Sequence, residues 1–301
     1  MADVLVTGGQ GQVGLELARQ NWPADVRPLF PTRNELDITS EASVDAYFAS
    51  RRLAAVINTA AYTAVDKAES EPDVAFLANG HGPAVLAAAT RKAGIPLIHV
   101  STDYVFDGAK SEAYDEDDAV APLGTYGASK LAGENAALEG NHRSVVLRTA
   151  WVVSAHRNNF LKTMLRVGTT NPVLRVVDDQ IGCPTSAQDI ASALRTIVRR
   201  MIEDDAAPVG IFHFVNAGQT SWYGLAREIF ALSSAAGGPA PQVEAITTAE
   251  YPTPTRRPAN SRLATAKITA DYGIHPRDWR TAVRDIMDEL LGALPQAGAL
   301  E

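Results

Sequence analysis

The chain has 301 residues, of which 46% are hydrophobic and 21% charged, and its formal net charge is −8 at pH 7. This length suits a large domain with a smaller one, and the negative charge argues against nucleic-acid or acidic-membrane partners. No apolar run approaches the roughly 20 residues that span a bilayer, and no signal-peptide pattern precedes Val4. The single cysteine, Cys183, excludes an internal disulfide, so a cytoplasmic location is expected. The histidines show no metal-ligand spacing, and no metal site is predicted.

The opening segment predicts a dinucleotide site. An apolar run at residues 4–6 breaks into Gly8-x-x-Gly11-x-x-Gly14, and a helical pattern follows at once. Gly8 permits a tight turn, and Gly11 lets the backbone approach a pyrophosphate without an intervening Cβ. The unpaired N–H groups and the dipole of the following helix favour a bound phosphate. The cofactor contacts expected here are Gly8, Gly11, Gln12 and Val13.

The second predicted strand, residues 25–30, bears on the choice of cofactor. NAD-selective sites usually have an acidic residue near this strand end, and none occurs here before Glu35. The guanidinium of Arg33 offers a planar fork of donors to a 2′-phosphate, which favours NADPH. A solvated loop charge explains Arg33 equally well, so NADH remains open.

The alternation of strands and helices continues along the chain. Residues 54–61 predict a third buried strand whose small terminal residues leave room for a ligand. A long amphipathic helix is predicted over residues 74–92, and the strand at 95–100 leads directly to Thr102. Residues 145–149 predict a fifth strand. Such alternation is typical of a parallel sheet with helices on both faces.

Tyr126 and Lys130 open the helix after the fourth strand, and their spacing puts them on one helical face. An ordinary surface pair is the alternative. After four strand–helix units and a phosphate loop, a catalytic interpretation is stronger. In a carbonyl reduction Tyr126 would donate a proton to the substrate oxygen, and Thr102 would hydrogen-bond that oxygen. Lys130 would favour the tyrosinate form of Tyr126 and bring the pKa of Tyr126 toward neutral pH.

The alternation weakens after about residue 154, which indicates a second structural unit. The predicted fold class is therefore α/β, with a Rossmann-like doubly wound parallel sheet and a smaller C-terminal substrate-binding α/β domain. The cofactor domain is expected over residues 1–153 and about 186–218. The substrate domain is expected over about 154–185 and 219–301.

Several motifs together resemble the extended short-chain dehydrogenase/reductases and, within them, the dTDP-4-dehydrorhamnose reductases. They are GGQGQVG at 8–14, STDYVFDG at 101–108, YGASKLAGE at 126–134, LRTAW at 147–151 and RPANSRL at 257–263. Two further segments, at 65–69 and 179–185, extend the resemblance over nearly the whole chain. This combination is far more specific than any one motif.

The resemblance implies NAD(P)H-dependent reduction of the 4-keto group of dTDP-6-deoxy-L-lyxo-4-hexulose to dTDP-L-rhamnose, with Thr102, Tyr126 and Lys130 as the catalytic set. It implies adenine contacts at Asp37 and Ile38, and nicotinamide-side contacts at Ala60, Ala61 and Tyr62. The implied contacts with the dTDP-sugar are Thr102, Asp103, Val105, Phe106, Trp151, Asn159, Arg257 and Asn260. A core aromatic and a solvated charge are the alternatives for Trp151 and Arg257. A homodimer is possible.

Some members of the family hold Mg²⁺ at a dimer interface through acidic residues. Glu16 and Asp189 stand near plausible positions, but surface acids are common, so Mg²⁺ is left open and no metal ligand is assigned.

Other activities of related proteins define the alternatives. Sugar-nucleotide dehydratases carry a glutamate where Tyr104 stands, so elimination is disfavoured. Epimerase-reductases use a cysteine and a histidine, whereas Cys183 is better explained as a small space-filling residue. The regulatory subunit of methionine adenosyltransferase also resembles these reductases and binds NADP without catalysis. Retention of Thr102, Tyr126 and Lys130 favours an enzyme.

Overall fold

The computed structural model describes residues 1–292, so residues 293–301, the end of the predicted substrate domain, lie outside the described residues. The first part contains β1 (Ala2–Thr7), α1 (Gln12–Arg19), β2 (Val26–Leu29), α2 (Glu41–Ala49), β3 (Leu53–Asn58), α3 (Val65–Ala68), α4 (Pro72–Phe76), a π-helical turn (Leu77–His81), α5 (Gly82–Ala93), β4 (Leu97–Thr102), a 3-10 turn (Asp103–Val105), α6 (Thr125–Gly140) and β5 (Ser144–Thr149).

The later part consists of shorter strands between helices. It contains β6 (Val152–Val153), α7 (Phe160–Gly168), β7 (Val173–Val177), β8 (Ile181–Gly182), β9 (Thr185–Ser186), α8 (Ala187–Glu203), β10 (Gly210–His213), β11 (Thr220–Ser221), α9 (Trp222–Ala235), β12 (Gln242–Ile246), a 3-10 turn (Thr248–Glu250), α10 (Ala266–Tyr272) and α11 (Trp279–Gly292).

Six parallel strands form the central sheet in the order β10-β5-β4-β3-β1-β2. β2 lies on one side of β1, and β3, which follows β2 in the chain, lies on the other side of β1. Strand order therefore reverses beside β1, and ligands of such sheets bind in the crevice at the carboxyl ends of the strands there. The sheet and its flanking helices confirm the predicted Rossmann-like α/β fold class.

Helices cover both faces of the sheet, which explains its continuous apolar strands. On one face, Leu17 of α1 and Leu194 of α8 pack against the sheet. On the other, Val44, Leu86 and Ala137 pack from α2, α5 and α6. The strand ends are thereby held in a rigid layer from which the connecting loops project.

A separate hydrophobic cluster lies among α7, α9 and α11, where Leu161, Ile229 and Trp279 are buried together. β12 pairs with β7 beside it as a two-stranded parallel sheet. α10 is different, because its Ile268 packs into the cluster of the central sheet. The boundaries of the two predicted domains stay a prediction.

The helix predicted over residues 74–92 is interrupted by a π-helical turn at Leu77–His81. Pro83 has no N–H to donate to the carbonyl of Asn79, four residues earlier. Gly82 instead donates to the carbonyl of Leu77, five residues back. Such π-turns often occur at functional sites, and this one turns the Asn79 side chain toward the β3 loop.

Candidate active site

The turn between β1 and α1 has the shape of a phosphate cradle. Gly8 has φ +72°, and a Cβ there would lie 2.5 Å from the backbone nitrogen of Ala60. A Cβ on Gly14 would lie 2.4 Å from the carbonyl oxygen of Gly8. Gly11 precedes α1 and brings no side chain to cap its first turn. The open backbone N–H groups at this helix start fit the pyrophosphate of a dinucleotide.

A cleft of about 750 Å³ extends from this turn along the carboxyl ends of the strands. It brings together all the cofactor residues predicted from the sequence: Gly8, Gly11, Gln12, Val13, Arg33, Asp37, Ile38, Ala60, Ala61, Tyr62, Tyr126 and Lys130. Thr102, Asp103 and Trp151 also line it. The expected catalytic and cofactor residues therefore share one continuous cavity.

Arg33 and Asp37 line the cleft and lie close to each other. The Arg33 side chain is 80% exposed, and its Nη2 is 3.9 Å from Asp37 Oδ2. Asp37 Oδ1 accepts hydrogen bonds from the backbone and hydroxyl of Thr39 at 3.0 and 2.7 Å. These two bonds hold the pKa of Asp37 below its ordinary value, and the bond from the backbone N–H has the larger effect. Arg33 is thus free enough of partners to contact an anionic ligand.

Thr102 and Asp103 form the end of β4. The Thr102 hydroxyl donates to Asp103 Oδ1 at 3.1 Å and accepts from the backbone N–H of Tyr104 at 3.2 Å. Asp103 Oδ2 is buried and has no hydrogen-bond partner among residues 1–292. Burial raises the pKa of Asp103 to about 6, and hydrogen bonds from neighbouring hydroxyls oppose this rise. The carboxyl group beside the Thr102 hydroxyl therefore titrates closer to neutral pH than an ordinary aspartate does.

Tyr126 lies in the first turn of α6, with its ring edge-on to Tyr104 at 5.4 Å between centroids. Burial raises its pKa above the ordinary value, while a hydrogen bond with Thr102 acts in the opposite direction. The expectation that Lys130 brings this pKa toward neutral pH is wrong for this cleft, because desolvation is the larger effect. The phenol consequently stays protonated at neutral pH, which is the form that donates a proton.

Lys130 lies one helical turn further along α6 and is 2% exposed. Its Nζ donates to the carbonyl of Val100 at 2.7 Å and lies 3.4 Å from Nε2 of His99. Burial lowers the pKa of Lys130 to about 8, and the charge of Glu134 opposes this shift. Lys130 is therefore a cation that loses its proton far more readily than an exposed lysine.

Three predicted substrate residues differ in their relation to the cleft. Trp151 lines the cleft, and its backbone has a positive φ of +49°. Its ring stacks on that of Trp222, with 3.6 Å between the ring centroids. The Val105 and Phe106 side chains lie instead in a buried hydrophobic cluster behind the cleft wall. Phe106 stacks there on Tyr114 at 4.1 Å. These two side chains support the segment that carries Thr102.

The other three predicted substrate residues hold loops around the cleft. Asn159 caps α7 and donates through Nδ2 to Oε1 of Gln12 at 2.9 Å, which joins it to the glycine turn. Arg257 donates to Asp66 at 2.8 Å and to the Tyr104 hydroxyl at 3.0 Å. Asn260 donates to the carbonyls of residues 110 and 112 at 2.8 and 2.6 Å, so its amide stabilises that loop.

Cys183 is 4% exposed, and burial raises the pKa of its thiol to about 11. A neutral buried thiol agrees with the space-filling interpretation.

Asn79 is a residue of the site for which the sequence predicts no role. Its Oδ1 accepts from the backbone N–H of Tyr62 at 2.7 Å, and its Nδ2 donates to the Tyr62 carbonyl and the Ser129 hydroxyl, both at 3.0 Å. Asn79 thus ties the loop after β3 to the helix that carries Tyr126. The signal available in the sequence was a polar residue within a predicted helix; the structure shows that Asn79 is wholly buried, and such residues are normally hydrogen-bonded.

The parallel sheet, the glycine turn and a cleft lined by Thr102, Tyr126 and Lys130 are the features expected of an extended short-chain dehydrogenase/reductase. The members of that class are nicotinamide-dependent oxidoreductases. The family model described as RmlD substrate binding domain matches residues 1–291. The dTDP-4-dehydrorhamnose reductase of Sinorhizobium fredii is 45% identical over 287 residues, which cover 95% of this chain and 97% of that relative. The chain belongs to the dTDP-4-dehydrorhamnose reductase family, whose members are oxidoreductases.

Solved structures agree with this family. The dTDP-4-dehydrorhamnose reductase of Clostridium acetobutylicum is 38% identical with a TM-score of 0.89, over 96% of this chain and 99% of that one. The enzyme of Bacillus anthracis, solved in complex with NADP, is 32% identical with a TM-score of 0.88 over the same shares.

Two features are absent from residues 1–292. Within that range no helix combines the length and apolarity needed to cross a membrane. The same residues contain no group of three or more His, Cys, Asp or Glu side chains arranged to hold a metal ion.

Proposed function

We propose that this enzyme reduces the 4-keto group of dTDP-4-dehydro-6-deoxy-L-mannose with NADPH and produces dTDP-L-rhamnose. The observation that carries the proposal is the meeting of Thr102, Tyr126 and Lys130 in the cleft that begins at the glycine turn. The names of relatives that are 36–45% identical support the substrate. The NADP complex of the Bacillus anthracis relative supports the cofactor.

The catalytic step needs a proton donor and a means of holding charge. A bound nicotinamide supplies the hydride that reduces the carbonyl carbon. Tyr126 donates its proton to the carbonyl oxygen, and the Thr102 hydroxyl hydrogen-bonds the same oxygen. Lys130, as the ammonium, stabilises the phenolate that remains on Tyr126. General acid catalysis of this kind is typically worth roughly 10²–10⁴-fold in rate.

The cofactor is held mainly by backbone and by one exposed cation. The N–H groups at the start of α1 bind the pyrophosphate, as the steric cradle at Gly8 permits. Arg33 binds the 2′-phosphate through its guanidinium, which favours NADPH over NADH. Ala60, Ala61 and Tyr62 form the nicotinamide side of the cleft, where Asn79 steadies their loop.

The sugar nucleotide lies at the other end of the cleft. Trp151 forms a wall beside the sugar, and its stack on Trp222 keeps the indole in place. Arg257 contributes a planar pair of donors to the diphosphate, for which its contacts with Asp66 and Tyr104 orient it. Both predicted domains thus contribute to recognition, Trp151 from the cofactor domain and Arg257 from the substrate domain, whereas Thr102, Tyr126 and Lys130 all belong to the cofactor domain.

The test is to incubate the protein with the 4-keto sugar nucleotide and either NADPH or NADH while following loss of nicotinamide absorbance. We expect consumption that requires the sugar nucleotide, is faster with NADPH, and yields dTDP-L-rhamnose. A protein that binds NADPH but consumes none contradicts the proposal and matches the non-catalytic alternative. An epimerised or dehydrated product contradicts the assigned reaction.

A further inference from the structure

Buried polar side chains on three strands lead to Lys130 from beneath the cleft. Thr7, Asn58 and His99 occupy paired register positions on β1, β3 and β4, so they share one face of the sheet. All of them, and Lys130, are at most 3% exposed. The proposed mechanism uses only Lys130, yet polar groups buried this deeply are costly unless each is paired.

The hydrogen-bond roles in this network follow from one fixed donor. The backbone N–H of Ala60 lies 3.2 Å from Asn58 Oδ1, so that atom is the carboxamide oxygen; the Thr7 hydroxyl also donates to it at 2.6 Å. Asn58 Nδ2 is then a donor, and it lies 3.0 Å from His99 Nδ1. His99 Nδ1 therefore accepts a hydrogen bond. A neutral His99 ring must carry its proton on Nε2.

His99 turns this Nε2–H toward the lysine. Burial, together with the charge of Lys130, holds the pKa of His99 well below its ordinary value, so the ring is neutral. Its Nε2 lies 3.4 Å from Lys130 Nζ. An ammonium has only donors, whereas a neutral amine has a lone pair that accepts the Nε2–H. The bond from Nζ to the carbonyl of Val100, at 2.7 Å, is available to both forms.

We propose that His99 is a positioning residue: Asn58 fixes its Nε2–H tautomer, and that N–H favours the neutral amine of Lys130. The inference rests on the proposed catalytic role of Lys130 and adds a contact that, besides burial and the charge of Glu134, shifts the pH at which the Lys130 charge is lost. The other ionisable groups around the network are Tyr126 and Glu134 on α6, Asp103 after β4, and Arg148 on β5, which pairs with Glu134 at 2.7 Å.

The first test reads the tautomer directly by NMR of protein labelled with ¹⁵N-histidine. The His99 signals are assigned by their loss in the His99→Gln variant. We expect a neutral ring with its proton on Nε2 from about pH 6 to about pH 8. A proton on Nδ1, or a charged ring, would overturn the proposal.

The second test changes the tautomer through Asn58→Asp. The carboxylate has no donor for His99 Nδ1, so the ring proton moves to Nδ1 and Nε2 becomes an acceptor for the Lys130 ammonium. The ¹³Cε signal of labelled lysine should then report a Lys130 pKa higher by about one unit, a tenfold change in its acid dissociation constant. An unchanged Lys130 pKa would overturn the proposal.

Asn58→Asp also adds a negative charge, and a double-mutant cycle separates that effect. The same substitution is made in the His99→Gln background, where the charge remains but the imidazole is absent. We expect a clearly smaller rise in the Lys130 pKa there; equal rises in both backgrounds would overturn the proposal. Should Asn58→Asp fail to fold, the tautomer of the unmodified protein still decides. Neither spectrum requires turnover, so a failed reductase assay and a failure of this inference are distinguishable.

Discussion

Replacing Tyr126 by phenylalanine removes the proposed acid and leaves the ring. The ring keeps its edge-on contact with Tyr104, 5.4 Å between centroids, so the packing at the start of α6 is preserved. Loss of one hydrogen bond with Thr102 should change the free energy of unfolding by only about 1 kcal/mol. The glycine turn is untouched, so NADPH should bind as before. The turnover number should fall by roughly 10²–10⁴-fold, which is about 3–5.5 kcal/mol of activation free energy.

The assay compares kcat from NADPH consumption with the NADPH dissociation constant from fluorescence titration. Tyr104→Phe is the matched control, because it also removes one partly buried phenol hydroxyl, the acceptor of the Arg257 bond at 3.0 Å. That variant should lose less than about tenfold in kcat, since its hydroxyl donates no proton to the substrate. Undiminished turnover of Tyr126→Phe, or equal losses in the two variants, would refute the assignment of the acid.

Three further predictions concern charge. Burial lowers the pKa of Lys130 to about 8, so its ammonium is lost as the pH rises through that value. We therefore expect kcat/KM to fall above about pH 8, and a profile that stays flat to about pH 10 contradicts this. Arg33→Ala should raise KM for NADPH about tenfold and leave KM for NADH unchanged, and equal effects on both cofactors contradict the 2′-phosphate contact. Glu134→Gln leaves the buried guanidinium of Arg148 without its carboxylate partner. Denaturant titration should then show a loss of about 3–5 kcal/mol in the free energy of unfolding. A loss below about 1 kcal/mol contradicts the importance of that pair.

The parts of the site that could be predicted from the sequence are local in the chain. The turn from β1 to α1 is specified within one short segment, because strand, glycines and helix follow each other directly. The pairing of Tyr126 with Lys130 follows from helical spacing alone. Thr102 ends a buried strand, and in a parallel sheet that position meets the ends of the neighbouring strands.

The network beneath the cleft could not be predicted in this way, because its members are distant in sequence. Thr7, Asn58 and His99 meet only through the register of three strands, which no single segment specifies. The contact of Arg257 with Asp66 joins residues 191 positions apart. In each case the available signal was a polar residue within an apolar or turn segment, which shows that a partner is needed but does not identify it.

Two further expectations were changed by the structure. The pattern at residues 74–92 correctly predicted helix, but the missing N–H of Pro83 produces a π-helical turn within it. The nearness of Lys130 suggested a lowered Tyr126 pKa, whereas desolvation, which depends on the folded surroundings, raises it. Sequence spacing identifies neighbours, but the extent to which water is excluded depends on the complete fold.

The most direct measurement of the central claim uses NADPH in which both hydrogens at C4 of the nicotinamide are deuterium. The protein is incubated with this cofactor and the 4-keto sugar nucleotide, and the product is analysed by NMR. Hydride transfer in the cleft that holds Thr102, Tyr126 and Lys130 predicts dTDP-L-rhamnose with deuterium on C4 of the sugar. Absence of label from that carbon, or cofactor that remains unconsumed beside the substrate, would contradict the account.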